Sequence, residues 1–173
     1  MFHIAKNQLK SLFLLFFHQS LLKTSYHIHI ILNMLSKIKI LAKCNVFSFV
    51  PIAFFRQNNK KILATKDTDI VIEGFWRCAN HYAVFAFKNA EKDINIAHHF
   101  HASAQIKIAI KKNIPSLVLI RNPFDCIASC LVFEPNTKPE YFIEYYKKFY
   151  TSLMDLRHNF VISDFDETIT NFD

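Results

Sequence analysis

Twice in this chain an apolar run of strand length breaks into a short basic turn and then into a helical pattern. Asp69-Ile70-Val71-Ile72-Glu73 leads into Gly74-Phe75-Trp76-Arg77-Cys78-Ala79-Asn80-His81, and Leu117-Val118-Leu119-Ile120 leads into Arg121-Asn122-Pro123-Phe124-Asp125-Cys126-Ile127-Ala128-Ser129. Short β-branched runs bounded by turn residues read as buried strands, and the spacing that follows reads as helix. Strands that alternate with helices return to the same end of the molecule, so they pair in parallel. The expected class is therefore α/β, a three-layer α/β/α arrangement around a parallel sheet. Such sheets bind ligands outside the carboxyl ends of their strands, where helix N-termini point free N–H groups at an anion. Each turn here adds a cation, Arg77 or Arg121. Two such turns in one small chain predict a ligand with two separated anionic groups.

The same two segments resemble the nucleotide-binding elements of the sulfotransferases. The family's first loop, of the type Gly-aromatic-Pro-[Lys/Arg]-Ser-Gly-Thr-Thr, holds the 5′-phosphosulfate of 3′-phosphoadenosine 5′-phosphosulfate. Its later motif, of the type Arg-[Asp/Asn]-Pro-x-Asp-x-x-x-Ser, holds the 3′-phosphate. The resemblance implies that Arg77 is the loop cation, with Cys78 and Ala79 at the Ser and Gly positions and Asn80 and His81 at the two Thr positions. It implies that Arg121 and Ser129 hold the 3′-phosphate. The second motif matches at every specified position, whereas Trp76 stands for Pro, Cys78 for Ser, Ala79 for Gly and His81 for Thr in the first. The implied fold is the P-loop nucleotide-hydrolase-like fold of that family. The implied reaction moves a sulfuryl group from 3′-phosphoadenosine 5′-phosphosulfate to a hydroxyl or amine on a small molecule or glycan.

Sulfuryl transfer needs a base for the acceptor proton, and Ala97-His98-His99-Phe100-His101 offers three groups that titrate near neutral pH. A Lys-Thr-His-Leu-Pro segment supplies the catalytic His of the cytosolic sulfotransferases at a similar distance upstream of the 3′-phosphate Arg. His99 takes that position by resemblance, with His101 second. Strand alternation would send His99 and His101 to one side and His98 to the other. No third ligand cluster lies nearby in sequence, so no bound metal is expected.

Between and beyond these motifs the pattern continues to alternate. Residues 80–91 and 102–112 read as helices, 94–99 as a strand, 123–133 as a helix with Pro123 near its first turn, 140–156 as a long aromatic helix and 160–163 as a last strand. The one glycine of the chain, Gly74, falls where a strand must turn sharply and let an anion approach the backbone.

Charge divides the chain. Residues 1–66 carry ten Lys/Arg and no Asp or Glu, whereas residues 67–173 carry eleven Lys/Arg against fourteen Asp/Glu. The net +7 therefore belongs to the first third, and the part bearing the motifs is slightly acidic, which argues against a nucleic-acid partner. On this division a sulfotransferase-like domain is expected over 67–173, ending before the further segment with which that family closes over the nucleotide. The uncharged run from Ser11 to Leu22 is shorter than the about 20 residues of a spanning helix. It is compatible with a membrane-surface helix or with a start of translation at Met34 rather than Met1. Pro51 and the polar stretch Arg56 to Lys61 read as a linker. The four cysteines form no Cys-x-x-Cys pair, and a reducing, cytoplasmic setting is expected. Oligomeric state is not legible.

A second short motif competes. Asp164-Phe165-Asp166-Glu167-Thr168 after an apolar run resembles the Asp-x-Asp-x-Thr of haloacid-dehalogenase-like phosphatases, where Asp164 would be nucleophile and Asp166 general acid/base. That fold places most of its sheet after the motif, so a chance match is the better account. A third reading is a non-catalytic sulfotransferase-like protein that binds the nucleotide alone.

Overall fold

The structure is a computed structural model that describes residues 28, 30–55 and 62–170. The uncharged run 11–22 and the linker stretch 56–61 lie outside the described residues, whereas Pro51, read with that linker, lies inside the helix Val46–Phe55. Two compact units divide the chain, residues 1–39 and 40–173. The described residues of the first unit are helical and largely exposed. No described helix is long and apolar enough to cross a membrane.

The second unit is an α/β structure around four parallel strands: β1 (Ile70–Gly74), β2 (Ile96–His98), β3 (Ser116–Ile120) and β4 (Val161–Asp164). Their order across the sheet is β2-β1-β3-β4. Helix α1 (Val46–Phe55) precedes the sheet, α2 (Asn80–Ala90) and α3 (Ser103–Lys111) flank β2, and α4 (Pro123–Phe133) and α5 (Pro139–Thr151) follow β3. A 3-10 turn at Met154–Asn159 leads to β4, and the short α6 (Phe165–Thr170) follows it. Successive side chains of a strand point to opposite faces, and Val71, Ile72, Glu73 and Gly74 are all buried, as are Ser116 to Leu119. Both faces of the central strands are therefore covered, as a parallel sheet requires.

This unit begins at Ile40, upstream of the boundary read from charge at residue 67. Ile40, Cys44, Phe49 and Ala53 are buried in its core, with Phe49 edge-on to Phe100 at 5.0 Å. The change at Asp67 is one of charge, and the apolar core runs across it.

The long helix expected over 140–156 ends at Thr151. Up to there it is strongly one-sided, with Phe142, Tyr145 and Phe149 completely buried at helical spacing. After Ser152 the chain tightens into the 3-10 turn, which carries it to the start of β4.

Candidate functional site

The order β2-β1-β3-β4 fixes where a ligand can sit. From β1 the chain crosses to one side to make β2 and returns past β1 to make β3. The loops leaving β1 and β3 therefore diverge at their carboxyl ends and leave a crevice between them. Both basic turns open there. Gly74 pairs with Leu119 in register, so the two turns begin side by side.

The loop after β1 wraps into α2 through two left-handed residues, Arg77 (φ 66°) and Ala79 (φ 62°). A non-glycine residue in this region costs about 1–2 kcal/mol, so the surroundings must hold the loop. They do so through side chains of the second turn and of α5. The Arg77 Nε–H donates to Ser129 Oγ at 2.9 Å, and Arg121 donates through NH1 to the Arg77 carbonyl at 3.1 Å. Tyr150 OH accepts from the Phe75 N–H at 3.3 Å and donates to the Leu119 carbonyl at 2.8 Å, tying the two strand ends together. Tyr146 OH donates to the Arg121 carbonyl at 2.7 Å, and Tyr145 OH donates to the His101 carbonyl. One aromatic helix thus fastens three loops by its hydroxyls. Burial raises the pKa of all three tyrosines, which keeps those hydroxyls protonated as donors.

Arg77, Arg121 and Ser129, read from separate segments, are brought together. Arg77 and Arg121 line a cavity of about 530 Å³ with Trp76, Ala79, Asn80, His81 and His101, closed by Phe133, Phe165 and Ile169, and no Asp or Glu among its lining residues. Each arginine carries an aromatic ring on its guanidinium: Phe133 lies 5.4 Å from Arg77 and Phe165 4.0 Å from Arg121. An aromatic ring near each guanidinium adds a cation–π attraction that helps hold the side chain at the cavity. The N-cap of α2, Ala79, supplies no side-chain bond to the first turn, and the Trp76 Nε1–H is buried with no partner among the described residues. Two arginines on a cavity lined by no carboxylate suit an anion.

Of the expected loop contacts, Cys78 is turned away from the cavity, while Asn80 lines it. Cys78 is completely buried, its Sγ 3.5 Å from Cys126 Sγ and 3.5 Å from Tyr150 OH, so its side chain faces the core. Asn80 is buried and donates its amide to the Phe75 carbonyl at 2.9 Å, bracing the loop, while its Oδ1 has no partner among the described residues. Cys126 and Cys130, four apart on α4, are both fully buried beside Trp76.

The histidines do not follow strand alternation, because β2 ends at His98. His99 (φ 63°) and His101 (φ 52°) are both left-handed, and the chain turns sharply between them. His101 consequently reaches the cavity, whereas His99 lies among histidines, 3.9 Å from the His81 ring and 4.4 Å from His98, with its Nδ1 in contact with that of His98. His101 Nδ1 lies 3.0 Å from the Gly74 carbonyl. A carbonyl only accepts, so Nδ1 carries the proton and Nε2 keeps its lone pair. Among the described residues no group of three His, Cys, Asp or Glu is arranged to hold a metal ion.

Burial holds His98 and His101 down to about 4 and His99 to about 3, with neighbouring positive charges adding to the effect. Burial also pushes the Glu73 carboxyl up to about 8, against the backbone N–H groups of Phe100 and His101 that draw it down. The sign of the pH dependence follows from these values. Between pH 6.5 and about 4 the unfolded chain protonates three histidines that the folded chain keeps neutral, which costs stability as pH falls. Above pH 4.5 Glu73 acts the other way, because the folded chain keeps a proton that the unfolded chain has lost. Three groups outweigh one. The urea midpoint is expected to fall between pH 7 and pH 5, and a midpoint that holds or rises would show the histidines to be solvated in the folded state.

The Asp-x-Asp-x-Thr segment has a local explanation. Asp164 ends β4, the outermost strand, and its Oδ1 accepts the Asp166 N–H at 3.0 Å, while Thr168 Oγ1 donates to the Asp164 carbonyl at 2.6 Å. These are the bonds of an aspartate capping a short helix. Phe165 and Ile169 of that helix, rather than its acids, line the cavity.

Sequence reasoning passed over six participants. Phe133 and Phe165 give no signal apart from their distant contacts, and neither do the α5 tyrosine hydroxyls. Glu73 did give one: a lone carboxyl in the apolar run Ile70-Val71-Ile72-Glu73 has to be buried in a parallel strand.

No protein family, curated protein or solved structure matches this chain.

Proposed function

We propose that the second unit is a sulfotransferase-like nucleotide-binding domain of the P-loop type. Its co-substrate would be 3′-phosphoadenosine 5′-phosphosulfate, and its acceptor a hydroxyl or amine of a small molecule or glycan. The observation that carries this reading is the bond between Arg77 of the first loop and Ser129 of the second motif, at 2.9 Å, beside Arg121 and on a cavity with no carboxylate. Two segments that resemble the two phosphate-binding elements of one family meet where a ligand with two anionic groups would lie. The co-substrate supplies the activated sulfuryl group. The protein supplies cations against the leaving phosphate and a base for the acceptor, and positioning dominates, as in phosphoryl transfer.

On this reading Arg77 and the α2 N-terminus hold the phosphosulfate, and Arg121 with Ser129 holds the 3′-phosphate. His101 takes the acceptor proton on Nε2 as the acceptor oxygen or nitrogen attacks sulfur and the sulfur–oxygen bond to phosphate breaks. A pKa of about 4 leaves His101 neutral and ready to accept at pH 7, and the negative charge of a bound donor would raise its basicity. His101→Gln is expected to slow transfer by about 10²- to 10⁴-fold while nucleotide affinity stays within about twofold. The assay is release of 3′-phosphoadenosine 5′-phosphate in the presence of phenol, sugar and amine acceptors. Equal rates for the variant and the parent would remove His101 from the reaction.

The burial of Cys78 favours a second reading, in which the protein binds the nucleotide without transferring sulfate. The family's Ser offers a hydroxyl at this position, and here the side chain faces Cys126 instead. Binding with no product from any acceptor would select this alternative.

A further inference from the structure

Glu73 is completely buried in β1. A carboxyl at such a depth is tolerated only where its oxygens are used. Its Oε1 accepts the Phe100 N–H at 2.9 Å and the Gln105 amide at 2.9 Å, and its Oε2 accepts the His101 N–H at 2.8 Å. The two backbone donors belong to the turn that follows β2 and holds the left-handed His99 and His101. Residues of this turn lie beyond the end of β2 and before α3, so no sheet ladder satisfies their N–H groups. The next residue along the strand, Gly74, accepts the ring Nδ1–H of His101. Adjacent positions of one strand thus grip His101 twice, by its backbone and by its ring, while Tyr145 of α5 holds its carbonyl.

We infer that Glu73 is the positioning residue for His101. By fixing the backbone N–H groups of the Phe100–His101 turn, it keeps the ring bonded to Gly74 through Nδ1 and leaves Nε2 as the free nitrogen. The catalytic part of this inference rests on the proposed role of His101 as base; the structural part stands without it. The side chain cannot be exchanged for an apolar one, since two backbone N–H groups and the Gln105 amide would lose their acceptor. Burial pushes the pKa of the carboxyl up to about 8, so both oxygens accept as a carboxylate above that pH. There glutamine keeps the size but offers a single acceptor oxygen, so one of the two turn bonds is lost, and the two proteins are compared above pH 8. The other groups that face this carboxyl are the Ala102 N–H of the same turn, Lys43, from the chain before α1, and Tyr145 of α5.

The test is ¹⁵N NMR of the histidine side chains in the full chain and in Glu73→Gln, with calorimetric titration of 3′-phosphoadenosine 5′-phosphate on both. The parent is expected to show His101 as a single tautomer protonated on Nδ1. The variant is expected to show a mixture with both nitrogens at intermediate shifts, at nucleotide affinity within twofold of the parent. A His101 that keeps its single tautomer in Glu73→Gln overturns the inference. Failure of both proteins to bind the nucleotide would count against the proposed function and leave the tautomer readout intact. Should the variant not fold, amide hydrogen exchange in the parent decides. The Phe100 and His101 N–H groups are expected to exchange at least 100-fold slower than unprotected loop amides, and fast exchange overturns the inference.

Discussion

Arg121→Ala is expected to weaken binding of 3′-phosphoadenosine 5′-phosphate by roughly 10- to 100-fold, the scale of about 1.5–3 kcal/mol for a hydrogen bond to a charged group. The substitution removes the cation at the carboxyl end of β3 and the guanidinium that donates to the Arg77 carbonyl. It also leaves Phe165 without its stacking partner at 4.0 Å, so the wall of the cavity loosens as well. Arg121→Lys should recover only part of the loss. An ammonium restores the charge, but its shape supplies neither the fork nor the flat face. Calorimetric titration of the three proteins, with thermal unfolding as control for folding, gives the comparison. Affinities within twofold of one another would show that Arg121 faces no phosphate.

The largest expected change in stability belongs to Gly74→Ala. A Cβ at this position would stand 2.7 Å from the Leu119 carbonyl oxygen, 2.9 Å from Leu119 Cβ and 3.2 Å from Asn80 Oδ1. The first of these atoms is backbone of the paired strand, so relief requires β1 and β3 to separate at the point where both loops leave the sheet. Overpacking of this kind costs about 1–3 kcal/mol and occasionally more, and the backbone clash places Gly74→Ala at the upper end, about 3 kcal/mol. Urea unfolding measures it. A loss below about 1 kcal/mol would mean that the strand ends part easily. Because the same separation moves Arg77 away from Ser129, the variant should lose nucleotide affinity together with stability.

This glycine also shows what the sequence could and could not reveal. Its position at the end of an apolar run marks a close approach, and the structure contains one, between neighbouring strands. The left-handed conformations that glycine usually serves fall instead on Arg77 and Ala79, where no residue type announces them. The β3 and α4 boundaries could be read directly, since Pro123 marks the first turn and the run Ser116 to Ile120 is uniformly apolar after its first residue. The bond between Arg77 and Ser129 was not legible, since the resemblance assigns the two to different anionic groups and only the fold brings their segments together. Strand alternation failed beyond His98 because it holds only while the backbone stays extended, and two left-handed residues end that within the motif. The start of the compact unit at Ile40 was hidden because the boundary was read from charge, whereas burial of Ile40, Cys44, Phe49 and Ala53 sets it. The tyrosines of α5 read as core, and their rings are largely that. Their hydroxyls bond loops far away in sequence, and spacing along the helix carries no trace of those partners.

The central claim is that one crevice between β1 and β3 receives two separated anionic groups of one nucleotide. Calorimetric titration of the full chain with 3′-phosphoadenosine 5′-phosphate and, separately, with adenosine 5′-monophosphate tests it most directly. The account predicts saturable one-to-one binding of the bisphosphate, at least tenfold tighter than the monophosphate, since only the bisphosphate engages both arginines. A folded protein that binds neither nucleotide, or binds both equally, would contradict it.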